Sequence, residues 1–228
     1  MRRYPPNLTV RGMNAVAVAL LAGLAGCNAV GAVLDKATTK PAIAAEYTPP
    51  KQPMLVLFED YKNPDVAGIF ADRLSSSVTA ELKEHKIAPV IPPARLIEFR
   101  SNKGADYRQL KTPYIGRALG AKQILYGDIT DFTVDAPLGS DMSKGKVKVF
   151  VRVIDANTGE TVWPTDTYPG EEIEVESPTM RVTDEESQAA LVDAMAERLT
   201  QRICQLFYTH SEEEEPDNAE STDAGATP

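Results

Sequence analysis

From Lys146 to Ile154 the chain reads Lys-Val-Lys-Val-Phe-Val-Arg-Val-Ile. Successive side chains of a strand point to opposite faces, so Val147, Val149, Val151 and Val153 share one side and Lys148, Phe150 and Arg152 the other. Alternation of this kind requires a sheet with one face on a core and one face partly wet. Asp155–Gly159 follows as a turn, with Asn157 and Gly159 available for positive φ. Glu160–Trp163 then returns antiparallel, as hairpin geometry dictates. Ile173–Val175 continues the sheet after the Pro169-Gly170 interruption, and Gln123–Val134 precedes it as a long strand.

The earlier half supplies helices and a parallel strand. Met54–Phe58 is a short apolar run bounded by Glu59-Asp60, the pattern of a buried strand. Val66, Ile69, Phe70, Leu74, Val78 and Leu82 recur at three- and four-residue steps, which places them on one helix face. Asp72, Arg73, Ser76, Glu81 and Lys83 take the other. Ile87–Ile91 is a second strand, demoted towards an edge by Pro89. Strand, helix, strand within this span predicts a βαβ unit with parallel strands. Pro92-Pro93 opens a short helix over Ala94–Arg100, and Ser101–Lys111 is a polar connection. Thr112-Pro113 reads as an N-cap followed by a first-turn proline. Tyr114, Ile115, Ala118 and Leu119 form the buried side of that helix, and Gly120 stops it. Thr183-Asp184-Glu185-Glu186 starts the last helix, with acids at its positive end. Leu191, Met195, Leu199, Ile203, Leu206 and Phe207 are its apolar stripe. The expected fold class is mixed α/β: one domain over 54–210, with a three- to five-stranded parallel and antiparallel sheet flanked by helices.

The amino terminus has a different character. Arg2, Arg3 and Arg11 precede an apolar stretch, Met13–Ala25, that closes on Leu24-Ala25-Gly26-Cys27. Positive region, apolar core and small residues are the three parts of a secretory signal. With a cysteine directly after Leu-Ala-Gly, the run resembles the bacterial lipoprotein signal. That resemblance implies cleavage between Gly26 and Cys27, lipid on Cys27 and attachment to a membrane. Acyl chains hold a protein in proportion to their buried methylenes, and stable attachment takes more than one. Two alternatives stand beside it: an uncleaved membrane helix, since apolar character continues through Leu34, and an ordinary cleaved signal. Asn28 is not the Asp that the resemblance associates with inner-membrane retention, which favours an outer membrane, facing the periplasm. Residues 27–53 carry Pro41, Pro49, Pro50 and Pro53 and read as an extended tether.

Charge narrows the partners. The 228 residues hold 24 bases and 33 acids. Losing residues 1–26 removes three arginines and no acid, leaving −12, and 211–228 hold seven of the acids and no base. That tail has no apolar face and is expected to be disordered. The remaining body is mildly acidic, without the basic footprint that nucleic-acid binding needs. With Cys27 assigned to lipid, Cys204 has no intramolecular partner and reads as a buried apolar residue.

No catalytic set emerges. His85 and His210 sit at helix ends beside charged residues. Zinc-type Cys or His spacing and a Gly-x-Ser-x-Gly elbow are both missing, so no metal, cofactor or catalytic residue is expected. Gly139–Lys146 has the glycine and lysine of a phosphate loop. It spaces its glycines by five residues instead of four, however, and leads into a strand where a helix N-terminus is needed. Glu59 and Asp60 lie past a parallel strand, where α/β folds bind ligands, and read as solvating or helix-entry charges. Asp128 and Asp131 are expected on opposite faces of their strand. Trp163 is expected in the core or at a sheet end.

Leu119-Gly-Ala-Lys-Gln-Ile-Leu-Tyr-Gly-Asp-Ile-Thr-Asp-Phe132 and Val147-Lys-Val-Phe-Val-Arg-Val-Ile-Asp-Ala-Asn-Thr-Gly-Glu-Thr-Val-Trp163 together resemble a group of bacterial envelope lipoproteins. The group comprises the curli-secretion lipoprotein CsgG, the lipoprotein activators of penicillin-binding proteins (LpoB-like) and the N-terminal domain of TolB. The likeness extends over Met54–Tyr208. It implies a non-enzymatic, lipid-anchored periplasmic protein that binds another envelope protein as an accessory or assembly factor in secretion, transport or wall synthesis. The alternative it carries is a homo-oligomeric ring or secretion-channel subunit. Channel members add amphipathic hairpins that build a barrel, and no such pair of segments is evident here.

Overall fold

The computed structural model describes residues 41–60 and 64–211. The signal run, Gly26, Cys27, the tether before residue 41 and the tail beyond Ser211 lie outside the described residues, as does the side chain of Val66. In chain order the elements are β1 (Ala42–Ile43), β2 (Met54–Glu59), α1 (Pro64–Glu84), α2 (Pro93–Lys103), a 3-10 turn (Gly104–Gln109), α3 (Thr112–Leu119), β3 (Gln123–Asp135), β4 (Met142–Asp155), β5 (Thr161–Trp163), β6 (Glu171–Glu176), β7 (Met180–Arg181), α4 (Glu185–Gln205) and β8 (His210–Ser211).

The fold is mixed α/β. β2 runs parallel to β3 from Met54↔Gln123 to Glu59↔Asp128, and β3 runs antiparallel to β4 from Gln123↔Asp155 to Asp135↔Lys144. β5, β6 and β7 each pair with β4 antiparallel, β6 in register from Lys146↔Glu176 to Val151↔Glu171. β1 and β8 form a separate antiparallel pair.

Two apolar layers hold the sheet. On one face, Met54, Val56 and Phe58 of β2 and the four valines of β4 meet Phe70, Leu74, Val78 and Leu82 of α1 and Met195, Leu199 and Ile203 of α4. On the other, Leu55, Leu57, Ile124 and Tyr126 meet Leu96 of α2 and Ile115 and Leu119 of α3. β2 is apolar at consecutive positions because both of its faces are covered. β4 alternates because helices cover only its valine side.

Several expectations change. Ile87–Ile91 makes one bridge, Met54↔Val90, with Ile91 N–H donating to Met54 O at 2.8 Å. Pro89, Pro92 and Pro93 have no N–H to extend it. The parallel partner of β2 is therefore β3, reached through three helices. Ile69 is 75% exposed, so among the described side chains of α1 the buried apolar stripe starts at Phe70. Tyr114 and Ala118 are exposed, while Ile115, Gly116 and Leu119 are buried. Thr112 lies inside α3, whose N-cap is Lys111 without a side-chain cap bond. Part of the expected polar connection is helical, as the end of α2 and the 3-10 turn. Gly120 does stop α3, at φ 85°. Asp184 caps α4 in a capping box with Ser187.

Residues 42–53, expected within the tether, pack on the domain. Glu46 and Tyr47 N–H donate to Leu206 O at 2.9 and 3.0 Å. Gln123 Nε2 donates to Pro50 O at 2.8 Å and Gln52 O at 3.0 Å. These bonds join segments far apart in sequence, which local composition does not record. Among the described residues no helix is long and apolar enough to cross a membrane.

Candidate functional site

At the C-terminal end of β2, Glu59 Oε1 accepts a hydrogen bond from Tyr107 Oη at 3.2 Å. Arg100 pairs with Asp72 and lies over the Tyr107 ring, 5.2 Å from its centroid. Burial first, then the nearby Glu59 charge, pushes the Tyr107 phenol up, so it stays a protonated donor at neutral pH. Asp60 is buried. Glu59 is thus tied into a network that fastens the 3-10 turn to the strand end.

A bulge between Ile129 and Asp131 alters the expectation for β3. Asp128 stands opposite Phe150 and Asp131 opposite Lys148. Phe150 and Lys148 share a face, so Asp128 and Asp131 do too, because the extra residue cancels half a pleat. The Gly139–Lys146 segment is a hairpin end: Gly139 has φ 79°, and β4 already begins at Met142. Lys144, Lys146 and Lys148 of β4 pair with Glu176, Glu174 and Glu172 of β6 at 2.6, 2.7 and 3.1 Å.

The two ends of the described body meet. Tyr47 stacks on Trp163 with ring centroids 5.8 Å apart, and both meet Phe207 edge-on. Trp163 is therefore the centre of an aromatic cluster at a sheet end. Tyr208 Oη donates to Glu81 Oε1 at 3.0 Å and its ring lies on His85, 3.8 Å between centroids. His85 Nε2 is 3.3 Å from the same Glu81 oxygen. His210 Nδ1 lies 3.2 Å from Tyr208 O. The two histidines that the sequence places 125 positions apart are thus brought to one tyrosine, His85 stacked on its ring and His210 edge-on. Cys204 is buried 4.0 Å from Val78 O. Burial first, then Glu81, raises its thiol, which suppresses the thiolate that reactivity requires.

Sequence reasoning missed Tyr47, Tyr107, Arg100 and Tyr208. For Tyr47 the available signal was an aromatic residue standing in a proline-rich stretch.

No family model matches the chain, and no curated protein does. Solved structures are similar over much of it. Lipoprotein GNA1162 from Neisseria meningitidis aligns at 19% identity and TM-score 0.43, covering 67% of this chain and 99% of that one. The PelC dodecamer from Paraburkholderia phytofirmans aligns at 18% and 0.36, covering 72% and 92%. Protein XCC0632 from Xanthomonas campestris aligns at 12% and 0.41, covering 71% and 84%. At these scores the likenesses carry no functional argument. The fold defines a class: a mixed-sheet α/β domain whose first and last described strands pair with each other.

Proposed function

We propose that this chain is a lipid-anchored protein of the bacterial cell envelope, attached through Cys27, whose domain binds another envelope component as an accessory or assembly factor. It performs no catalysis of its own. The observation that carries the reading is the run Arg2, Arg3, Arg11, apolar core, Leu24-Ala25-Gly26-Cys27. The fold supports it in one respect. Cys27 stands fifteen residues before Ala42, where the chain joins β8, so the anchor has a reach of at most about 50 Å at roughly 3.4 Å per extended residue. A body on so short a lead works close to a bilayer. Placement at the outer membrane rests on Asn28, and the CsgG-, LpoB- and TolB-like relationship on the β3–β4 hairpin residues quoted above.

The test is fractionation of cells expressing wild type and Cys27→Ser, with mass spectrometry of the N-terminal peptide. Wild type should sediment with membranes and begin at an acylated Cys27, and Cys27→Ser should be released. Continued membrane attachment of the variant would replace the lipid reading with the helical anchor. The accessory role is tested by in-cell crosslinking of the anchored protein, and recovery of no envelope protein counts against it.

A further inference from the structure

β3 outruns its neighbour. β2 pairs with it only as far as Glu59↔Asp128, while β3 continues to Asp135. On its inner side β3 stays paired with β4 as far as Asp135↔Lys144. On its outer side no strand among the described residues pairs with 131–135. A strand edge of this kind presents a row of backbone N–H and C=O groups and is a template for one more strand.

The side chains along this stretch define what that strand carries. Phe132 and Val134 lie opposite Val147 and Gly145, on the side that α1 and α4 cover. The Phe132 ring meets Phe70 of α1 at 5.0 Å between centroids, and Val134 is 40% exposed. Asp131, Thr133 and Asp135 lie opposite Lys148, Lys146 and Lys144, on the wet side. Those lysines are engaged by β6: Lys144 with Glu176, Lys146 with Glu174, and Lys148 with both Glu172 and Glu174. Asp131 and Asp135 make no ion pair among the described residues. The wet side therefore runs in lanes: acid on β6, base on β4, acid on β3. Unlike charges directly opposite each other stabilise a sheet and like charges destabilise it, so the lane beyond β3 calls for base. β4 already shows the chemistry that fits, with lysines facing the acids and valines alternating on the apolar side. A second copy does not fit. Antiparallel pairing of two β3 edges with their faces aligned sets Asp131, Thr133 and Asp135 against one another, and charge on an edge guards against such pairing.

We propose that the outer edge of β3 over 131–135 takes up an extended segment of a partner protein as an added strand, one that alternates lysine or arginine with apolar residues. Its main chain bonds the edge, its cations face Asp131 and Asp135, and its apolar side extends the layer of Phe132 and Val134. In strand addition the main-chain bonds supply affinity and the alternate side chains supply specificity. The proposal deepens the accessory-protein reading by stating the chemistry of the partner, and it rests on that reading.

The experiment measures fluorescence anisotropy of a labelled peptide of alternating lysine and valine, about six residues long, titrated with the full-length protein in nonionic detergent at physiological salt. Wild type should bind it, and should bind a peptide with the same lysines and valines in two blocks at least about tenfold more weakly. Of two forms N-methylated at the lysines or at the valines, at least one should lose binding, since each lacks the N–H groups of one edge. Asp131→Asn/Asp135→Asn should weaken binding about fivefold, while the equal-charge control Glu98→Gln/Glu160→Gln stays within about twofold. Replacing the glutamates at 212–215 by glutamine should also leave the affinity within about twofold. No binding by wild type, equal binding of the block peptide, binding kept by both methylated forms, equal weakening by edge and control variants, or loss confined to the tail variant would each overturn the edge assignment. An oligomer by light scattering that excludes the peptide would give the edge to a second copy and overturn it as well. The accessory reading fails separately: the edge then binds the peptide, but in-cell crosslinking recovers no envelope protein.

Discussion

The two faces of the sheet are built from the same strands and end differently. Under α1 and α4 the face is dry along its length: Val147, Val149, Val151 and Val153 of β4 are all fully buried. On the opposite face α2 and α3 cover β2 and the start of β3, and there the helices stop. Beyond them β4 and β6 present lysines opposite glutamates. Arg152 marks the boundary, its guanidinium 4.8 Å above the Tyr126 ring and its Nη1 donating to Pro169 O at 3.0 Å. β2 stands at one end of the hydrogen-bonded order and β4 inside it, yet β2 is the strand buried on both faces. Helix cover decides burial here, and rank in the sheet does not. That is why a continuous apolar run and a strict alternation occur in strands of a single sheet.

The largest effect expected from this contrast is in the dry layer. Leu74→Ala removes a fully buried side chain between α1 and the sheet and should cost about 3–4 kcal/mol in urea unfolding, within the usual span for such truncations. Leu96→Ala, in the smaller layer under α2, should cost about 2 kcal/mol, because a short helix at the margin can settle into the space. Equal costs would break the contrast. Two glycines sharpen it. A Cβ on Gly127 would sit 2.1 Å from the fully buried Phe58 ring, so Gly127→Ala should cost about 2 kcal/mol or more as overpacking. A Cβ on Gly145 would meet Met195 Sδ at 2.3 Å. An unbranched thioether can swing aside, and that variant should lose under about 1 kcal/mol. If Gly145→Ala proves the worse of the two, Met195 is pinned and the dry layer is stiffer under α4 than its chemistry implies.

Much of this was legible because pattern reports cover. The run Met54–Phe58 and the valines of β4 gave strands, class and core side directly. What escaped depended on contacts between distant segments or on single-residue irregularities. Thr130 is extra in the β3 ladder, and nothing in Asp-Ile-Thr-Asp announces that Asp128 and Asp131 will share a face. Three prolines reduced a β-rich stretch at Ile87–Ile91 to one bridge. Tyr47 looked like linker until Trp163 and Phe207 were beside it. Glu81 is the strongest instance. Glu81 stood in the sequence on the polar side of a helix, a solvated position by periodicity. Only the placement of α4 alongside α1 brings Tyr208 onto its carboxylate. The proposed lipid anchor is the reverse case, since it rests wholly on residues 1–27.

The smallest effect belongs to the wet face. The strongest influence on the Glu174 carboxyl is its bond to Lys146, which lowers it. Lys146 is raised by Glu174, and Lys148 by Glu172 and then Glu174. Glu174, with a folded value below its unfolded one, contributes stability that is present above about pH 4.3 and lost as pH falls through the lowered value. The lysines contribute stability that is present below about pH 10.4 and lost as pH rises through their raised values. The ladder should therefore be flat across neutral pH and erode at both extremes. All these groups are solvated, so exposed-pair screening applies. Glu174→Gln should lower the melting temperature slightly at neutral pH and low salt, and the difference from wild type should vanish in acid and near 1 M salt. A difference that survives high salt would mean the lysine stems, not their charges, hold β6 to β4. The second face would then be a packed layer that charge merely covers, and the contrast between the faces would be one of degree.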